Sequence, residues 1–140
     1  DEILLFIIED MLAFITTKAQ EISAMDLPAD ERLRRIMEVH MNFIVENKDT
    51  FFLISYEGRR LETESIQRVQ KGRYAYQDMI RALVEEGIRE GSFREVDPLL
   101  VARLVINTLM PVVFTTRPTG TPQQMLEEAL DIILNGVQKE

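Results

Sequence analysis

The side chains able to do chemistry in this sequence are few, and most of them stand alone. There is one histidine, His40, set in the stretch "RRIMEVHMNFIVE" on the apolar side of a helical pattern. Metal ligation needs several convergent ligands, so a lone histidine makes no metal site and is more often a satisfied core residue. The chain has no cysteine, which removes disulfides, thiolate metal sites and a cysteine nucleophile. The acidic pairs Glu62/Glu64 and Glu85/Glu86 have the chemistry of acid–base catalysts, but on helical stretches such pairs are usually solvated surface. No glycine-rich phosphate loop, nucleophile elbow or zinc-protease helix motif is present. The sequence therefore points away from an enzyme and calls for no metal and no cofactor.

Polar residues stranded among apolar ones are the stronger signal. Asn107 lies in the middle of the most hydrophobic stretch, where a dry, unpaired amide would cost a few kcal/mol. It must pair across an interface or face a cavity. Arg73 interrupts an apolar stripe; either its stem packs while its head reaches water, or it meets an anion. With Arg59, Arg60, Arg68 and Lys71 it makes the span from Gly58 to Tyr76 locally basic against Glu62 and Glu64. In an acidic chain this is where an anion would sit. Seven methionines and seven phenylalanines are spread along the chain. Core packing explains most of them, and methionine also lines adaptable apolar cavities.

These residues need a scaffold, and the chain has the means to build one. Its 140 residues suit a single domain, 1–140, with a sizeable core; 46% hydrophobic content with 29% charged places it in the globular range. Sixteen basic residues against 24 acidic give a net charge of −8, the wrong sign for a chain that binds phosphate backbones by itself. The apolar run Ile3–Ile8 is too short for a membrane span and lacks the basic leader of a signal peptide. Starting directly on a helical pattern without methionine, the sequence reads as a piece whose N-terminal part is missing.

Six helices are expected, and no strand. A first runs over 1–24, and a second follows "DLPADE", capped by Asp30 and ending near Asn47. A short one covers 50–57. The longest spans about 61–90 and carries the stripe Ile66, Val69, Arg73, Tyr76, Ile80, Leu83, Gly87 at helical spacing. In "EGIREGSFREVDP" Gly91 takes the left-handed conformation that ends that helix, Phe93 folds back on it, and Asp97 caps a new helix with Pro98 in its first turn. This fifth helix, 98 to about 115, is apolar nearly all round, and the sixth, about 122–138, has a wide apolar face. Covering both within one small chain is difficult, so they are expected to form a subunit interface.

The segment "LVEEGIREGSFREVDPLLVARLVINTLM" with the loop "TTRPTGTP" and the ending "LDIILNGVQ" resembles the C-terminal domain of TetR-family transcriptional regulators. The opening "DEILLFIIEDML" is similar to the helix that follows that family's DNA-binding head. The arginine–proline loop resembles the branch that regulates fatty-acid and acyl-CoA metabolism, although Phe114, Thr115 and Thr116 stand where that branch commonly has a tryptophan. The helix-turn-helix head itself is absent from this sequence.

The resemblance implies an all-α domain of a bacterial, cytoplasmic repressor. It would form a homodimer through a four-helix bundle of its last two helices, and meet DNA only through the missing head. A small hydrophobic effector, fatty acyl or acyl-CoA among the options, would occupy a cavity. The residues placed there are Met11, Phe14, Met37, His40, Met41, Phe52, Arg73, Tyr76, Met79, Asn107 and Met110. Those placed in the dimer interface are Leu104, Thr108, Val112, Leu126, Ala129 and Ile133. The alternative is a purely structural helical dimer or protein-interaction domain; it would be packed solid, whereas a sensor holds a closed apolar void.

Overall fold

The computed structural model describes residues 2–139, with Val113 described by its backbone alone; Asp1, the start of the expected first helix, lies outside the described residues. Six helices follow one another: α1 Glu2–Ser23, α2 Ala29–Glu46, α3 Lys48–Glu57, α4 Thr63–Glu90, α5 Pro98–Val113 and α6 Pro122–Val137, with a 3-10 turn at Gly58–Arg60. No strand occurs among the described residues, only an isolated antiparallel bridge between Phe93 and Gln138. The fold is all-α. Among the described residues, no helix is long and apolar enough to cross a membrane.

Helix ends follow local chemistry at most junctions. Gly91 closes α4 at φ +87°, in the left-handed region that a side chain disfavours. Asp97 opens α5 by accepting from the backbone N–H groups of Leu99 (3.1 Å) and Leu100 (3.3 Å), with Pro98 in the first turn. Thr121 and Gln124 form a reciprocal capping box at the start of α6. At α2 the expected cap is wrong. Asp30 lies inside the first turn, and the orphan N–H of Ala29 donates instead to Glu90 Oε1 at 2.6 Å, a partner 61 residues away.

That long-range cap belongs to a tight joint at the C-terminal end of α4. Arg32, buried on α2, donates to Glu86 through two nitrogens at 2.6 and 3.2 Å. It also donates to the carbonyls of Leu27 (2.8 Å) and Ser23 (3.2 Å), which ties the α1–α2 connection to α4. Hydrogen bonding to Arg32 holds the Glu86 carboxyl below its usual range, and Glu86 in turn raises the Arg32 guanidinium. Phe93 turns back as expected: its N–H donates to the Gly87 carbonyl at 3.1 Å and its ring is almost wholly buried against α4. Arg94 N–H then donates to the Val137 carbonyl at 2.9 Å, pinning the end of α6 to the same joint.

The core divides in two. A large cluster joins Ile15, Ala19, Leu33, Met37, Met41, Ile44, Tyr76, Ile80, Leu83, Val84, Phe93, Val105, Leu109, Leu126 and Leu130. A smaller one, Leu5, Ile8, Leu61 and Val69, sits between the N-terminal halves of α1 and α4. The helix α4 thus serves both: it packs against α2 and α5 along its C-terminal part and against α1 nearer its start.

The joint generates a sharp prediction. A Cβ at position 87 would lie 2.3 Å from Phe93 Cδ2 and 3.2 Å from the Ala29 Cβ. Gly87→Ala should therefore destabilise the domain by about 1–3 kcal/mol through overpacking, despite the better helix propensity of alanine. Urea unfolding monitored by circular dichroism measures it; an unchanged or raised midpoint would show that Phe93 is not locked against α4.

Candidate functional site

Where the two clusters fail to merge, the helices leave a cavity of about 810 Å³. Its volume falls within the roughly 300–1,000 Å³ typical of ligand sites. Helix α1 contributes Ile8, Met11, Leu12 and Ile15; α2 contributes His40; α3 and the turn after it contribute Phe51, Ile54, Ser55, Gly58, Arg59 and Leu61. Helix α4 adds Ile66, Val69, Gln70, Arg73, Tyr74, Tyr76 and Gln77, and α5 adds Arg103, Ile106, Asn107 and Met110. The lining changes character with depth. Ile8, Ile15, His40, Leu61, Val69 and Tyr76 are buried and make a mostly apolar floor. Arg59, Gln70, Arg73, Tyr74, Arg103 and Asn107 are exposed and, with Ile66 beside them, form a largely polar rim, so the cavity is open rather than the closed void expected of a sensor.

The charge on this lining is one-sided. Among the described residues three arginines line the cavity and no aspartate or glutamate does, in a chain whose net charge is −8. Among the described residues none of Arg59, Arg73 and Arg103 forms an ion pair, whereas Arg60 and Arg68 nearby pair with Glu57 and Glu9. A concave, partly apolar surface with uncompensated guanidinium groups concentrates anions.

On the floor, Nδ1 of His40 lies 3.0 Å from the Tyr76 hydroxyl, with the two rings edge-on at 5.4 Å. Burial lowers the His40 imidazole to about 4 and raises the Tyr76 phenol above its ordinary value. Both are therefore neutral at physiological pH. Among the described residues no cluster of His, Cys, Asp and Glu could hold a metal ion.

Of the residues placed in a pocket by sequence, Met11, His40, Arg73, Tyr76, Asn107 and Met110 line this cavity together. Phe14 does not; it stacks on Phe43 at 4.8 Å and lines a smaller groove of about 280 Å³ with Phe6, Ile7 and Met11. Met37 and Met41 are sealed in the large cluster, because on α2 His40 is the residue turned to the cavity, and Met79 of α4 packs on the edge of that cluster. Phe52 points outward, 61% exposed, with its ring 6.2 Å from Phe114. Of the interface residues, Leu104 is 52% exposed, while Thr108, Ala129, Val112 and Ile133 are half-buried. Leu126 is fully buried within the chain and cannot serve an interface. The exposed Leu100 and Ile132 extend the apolar surface of α5 and α6 instead.

Over residues 26–137 the sequence matches the family of tetracyclin repressor-like C-terminal domains. The chain belongs to this family. The fold of this TetR-type domain agrees. It is similar to the TetR-family regulator PfmR of Thermus thermophilus, with 28% identity and a TM-score of 0.83, over 99% of this chain and 76% of that one. It is also similar to the ketosteroid regulator KstR2 of Mycobacterium tuberculosis (24%, TM-score 0.84, 99% and 73%). A third is AibR, solved in complex with isovaleryl coenzyme A and operator DNA (17%, TM-score 0.76, 94% and 72%). No curated protein matches the sequence. Members of this family are transcription regulators.

Several lining residues of the TetR-type domain escaped the sequence reading, and three left a usable trace. Arg103 is the sole charge in α5 and stands one turn before Asn107, so both fall on one helical face. Gln70 and Gln77 flank Arg73 at spacings of three and four, a polar ridge beside the apolar stripe. Ile54 and Ser55 left none, since nothing in their short helix marks which side is turned inward.

His40 also sets a pH dependence. Its folded pKa of about 4 lies below its ordinary 6.5, so the unfolded chain takes up the proton first. Stability is full above pH 6.5 and falls as pH drops through the window towards 4, by about 2 kcal/mol between pH 6.5 and 5. Chemical denaturation across that range should show this slope in the wild type and a much flatter one in His40→Gln; equal slopes would place the titration elsewhere.

Proposed function

We propose that this domain is the effector-sensing and dimerisation part of a transcriptional regulator, and that its effector is an amphipathic molecule with an apolar body and an anionic end. The observation that carries the reading is the 810 Å³ cavity with an apolar floor and three arginines uncompensated by any lining carboxylate. A neutral lipophile has no use for those charges. A fatty acyl thioester of coenzyme A has both parts, and AibR, similar in fold, was solved with isovaleryl coenzyme A.

Such an effector acts only through its difference in affinity between two states of the protein. Helix α1 provides one wall of the cavity through Ile8, Met11, Leu12 and Ile15, so filling the cavity biases where α1 lies. A DNA-binding head joined ahead of α1 would move with it, and in a homodimer the spacing between two heads would change. The protein meets DNA through that head, in the cytoplasm, and not through this acidic domain. The exposed Leu100, Leu104 and Ile132 with Ala129 on α5 and α6 supply a dimer face. A solid scaffold would not keep a cavity of this size between its two clusters.

Denaturing extraction of the protein purified from its host, followed by mass spectrometry, should release a near-stoichiometric amphipathic anion such as an acyl-CoA. An empty extract, together with no thermal stabilisation by added acyl-CoA, would contradict the reading. Ala129→Arg should convert the dimer to a folded monomer by light scattering, since a desolvated like-charge pair across a two-fold interface is costly; a variant that stays dimeric would move the interface off α6.

A further inference from the structure

His40 is buried, yet only one of its two ring nitrogens has a protein partner. Nδ1 is bonded to the Tyr76 hydroxyl, and among the described residues nothing bonds Nε2. No fully buried side-chain nitrogen or oxygen among the described residues is left unpartnered, so Nε2 keeps an open face, and His40 lines the cavity. The tautomer follows from the relative acidity of the two groups. If Nδ1 carried the proton and donated to Tyr76, the phenol proton would have no acceptor among the described residues. Either way one proton of the pair is left for the cavity, but the phenol is the stronger acid and the imidazole nitrogen the stronger acceptor, so Tyr76 O–H donates to Nδ1 and the imidazole proton sits on Nε2. A neutral imidazole with Nε2–H is a hydrogen-bond donor without charge.

We propose that His40 is the specificity-determining contact on the cavity floor, its Nε2–H held in place by Tyr76 and presented to an uncharged acceptor, a carbonyl oxygen, within the apolar body of the effector. The inference rests on the amphipathic-anion reading of the cavity and adds a second recognition element to it. The rim arginines take the anionic end, and His40 reads whether the body carries an oxygen. A saturated chain would leave the Nε2–H unpaired in an apolar floor, which is the kind of mismatch that separates ligands of equal size.

The test compares dodecyl phosphate with a set of oxododecyl phosphates whose ketone is walked along the chain. Binding is measured by calorimetry on the wild type, His40→Met and Tyr76→Phe, each first checked for a cooperative thermal transition. In the wild type one ketone position should bind about 3- to 10-fold more tightly than dodecyl phosphate. His40→Met should lose that preference, and Tyr76→Phe should reduce it. Because the chain has a single histidine, its imidazole nitrogen NMR spectrum is unambiguous and should show the Nε2–H tautomer without ligand. Dodecyl phosphate binding with no ketone preference in the wild type, or with a preference that survives in His40→Met, would overturn the role of His40 and leave the cavity reading standing. Failure of every phosphate to bind would overturn both. An Nδ1–H tautomer in the free protein would overturn the proposal whatever binds, and should His40→Met not fold, Tyr76→Phe and that spectrum decide it.

Discussion

The last two turns of α4 hold this domain together. There Gly87 lets the Phe93 ring lie directly on the helix, at a distance no side chain at that position would permit, while Glu86 and Glu90 reach across to Arg32 and to the free N–H of Ala29. Three connections meet at one place: the turn between α1 and α2, the turn between α4 and α5, and the end of α6 through Arg94 and Val137. A charged hydrogen-bond network of this kind is strong when every member is satisfied, and among the described residues no side-chain polar atom that is fully shut off from solvent lacks a partner. Fixing one end of a 28-residue helix fixes its direction.

The consequence appears at the other end of α4. With its C-terminal half committed to α2 and α5, α4 meets α1, Leu61 and Ile54 of α3 near its start, and the core separates into a large and a small cluster. The space between them is the cavity. Its floor is drawn from both clusters, so it is apolar, and its rim is drawn from the solvent-facing edges of α4 and α5 and from the turn at Gly58–Arg60, so it is polar. Pro111 adds to the asymmetry, since it has no N–H to offer the carbonyl of Asn107 on the cavity side of α5. The site is thus a by-product of where rigidity is placed.

What could be read from sequence divides along the same line between local and distant causes. The helix ends at Gly91 and at Asp97–Pro98 were legible because the acceptor, the donor and the special backbone conformation lie within a few residues of one another. The cap of α2 was not, because its acceptor is Glu90, distant in sequence, and the nearby Asp30 offered a plausible substitute. The stripe on α4 placed Tyr76, Ile80 and Leu83 correctly on the buried face, and the interruption at Arg73 did mark the cavity rim. Methionine alone carried no such information. Met11 and Met110 line the cavity while Met37 and Met41 are core, and only the helix phases of separate elements distinguish them. Leu126 shows the same limit for the interface: α6 has an apolar face broad enough to serve both the core and a partner, and residue type does not tell which leucine does which.

We propose that the rim arginines make this cavity a site for an anion with an apolar tail. Calorimetric titration of the wild type and of an Arg59→Gln/Arg73→Gln/Arg103→Gln variant with dodecyl phosphate and with dodecanol separates charge from chain. The phosphate should bind the wild type at least about tenfold more tightly than the alcohol, as charge-assisted hydrogen bonds to guanidinium groups would give. That advantage should vanish in the triple variant, with dodecanol binding unchanged. Equal affinities for phosphate and alcohol in the wild type would contradict it.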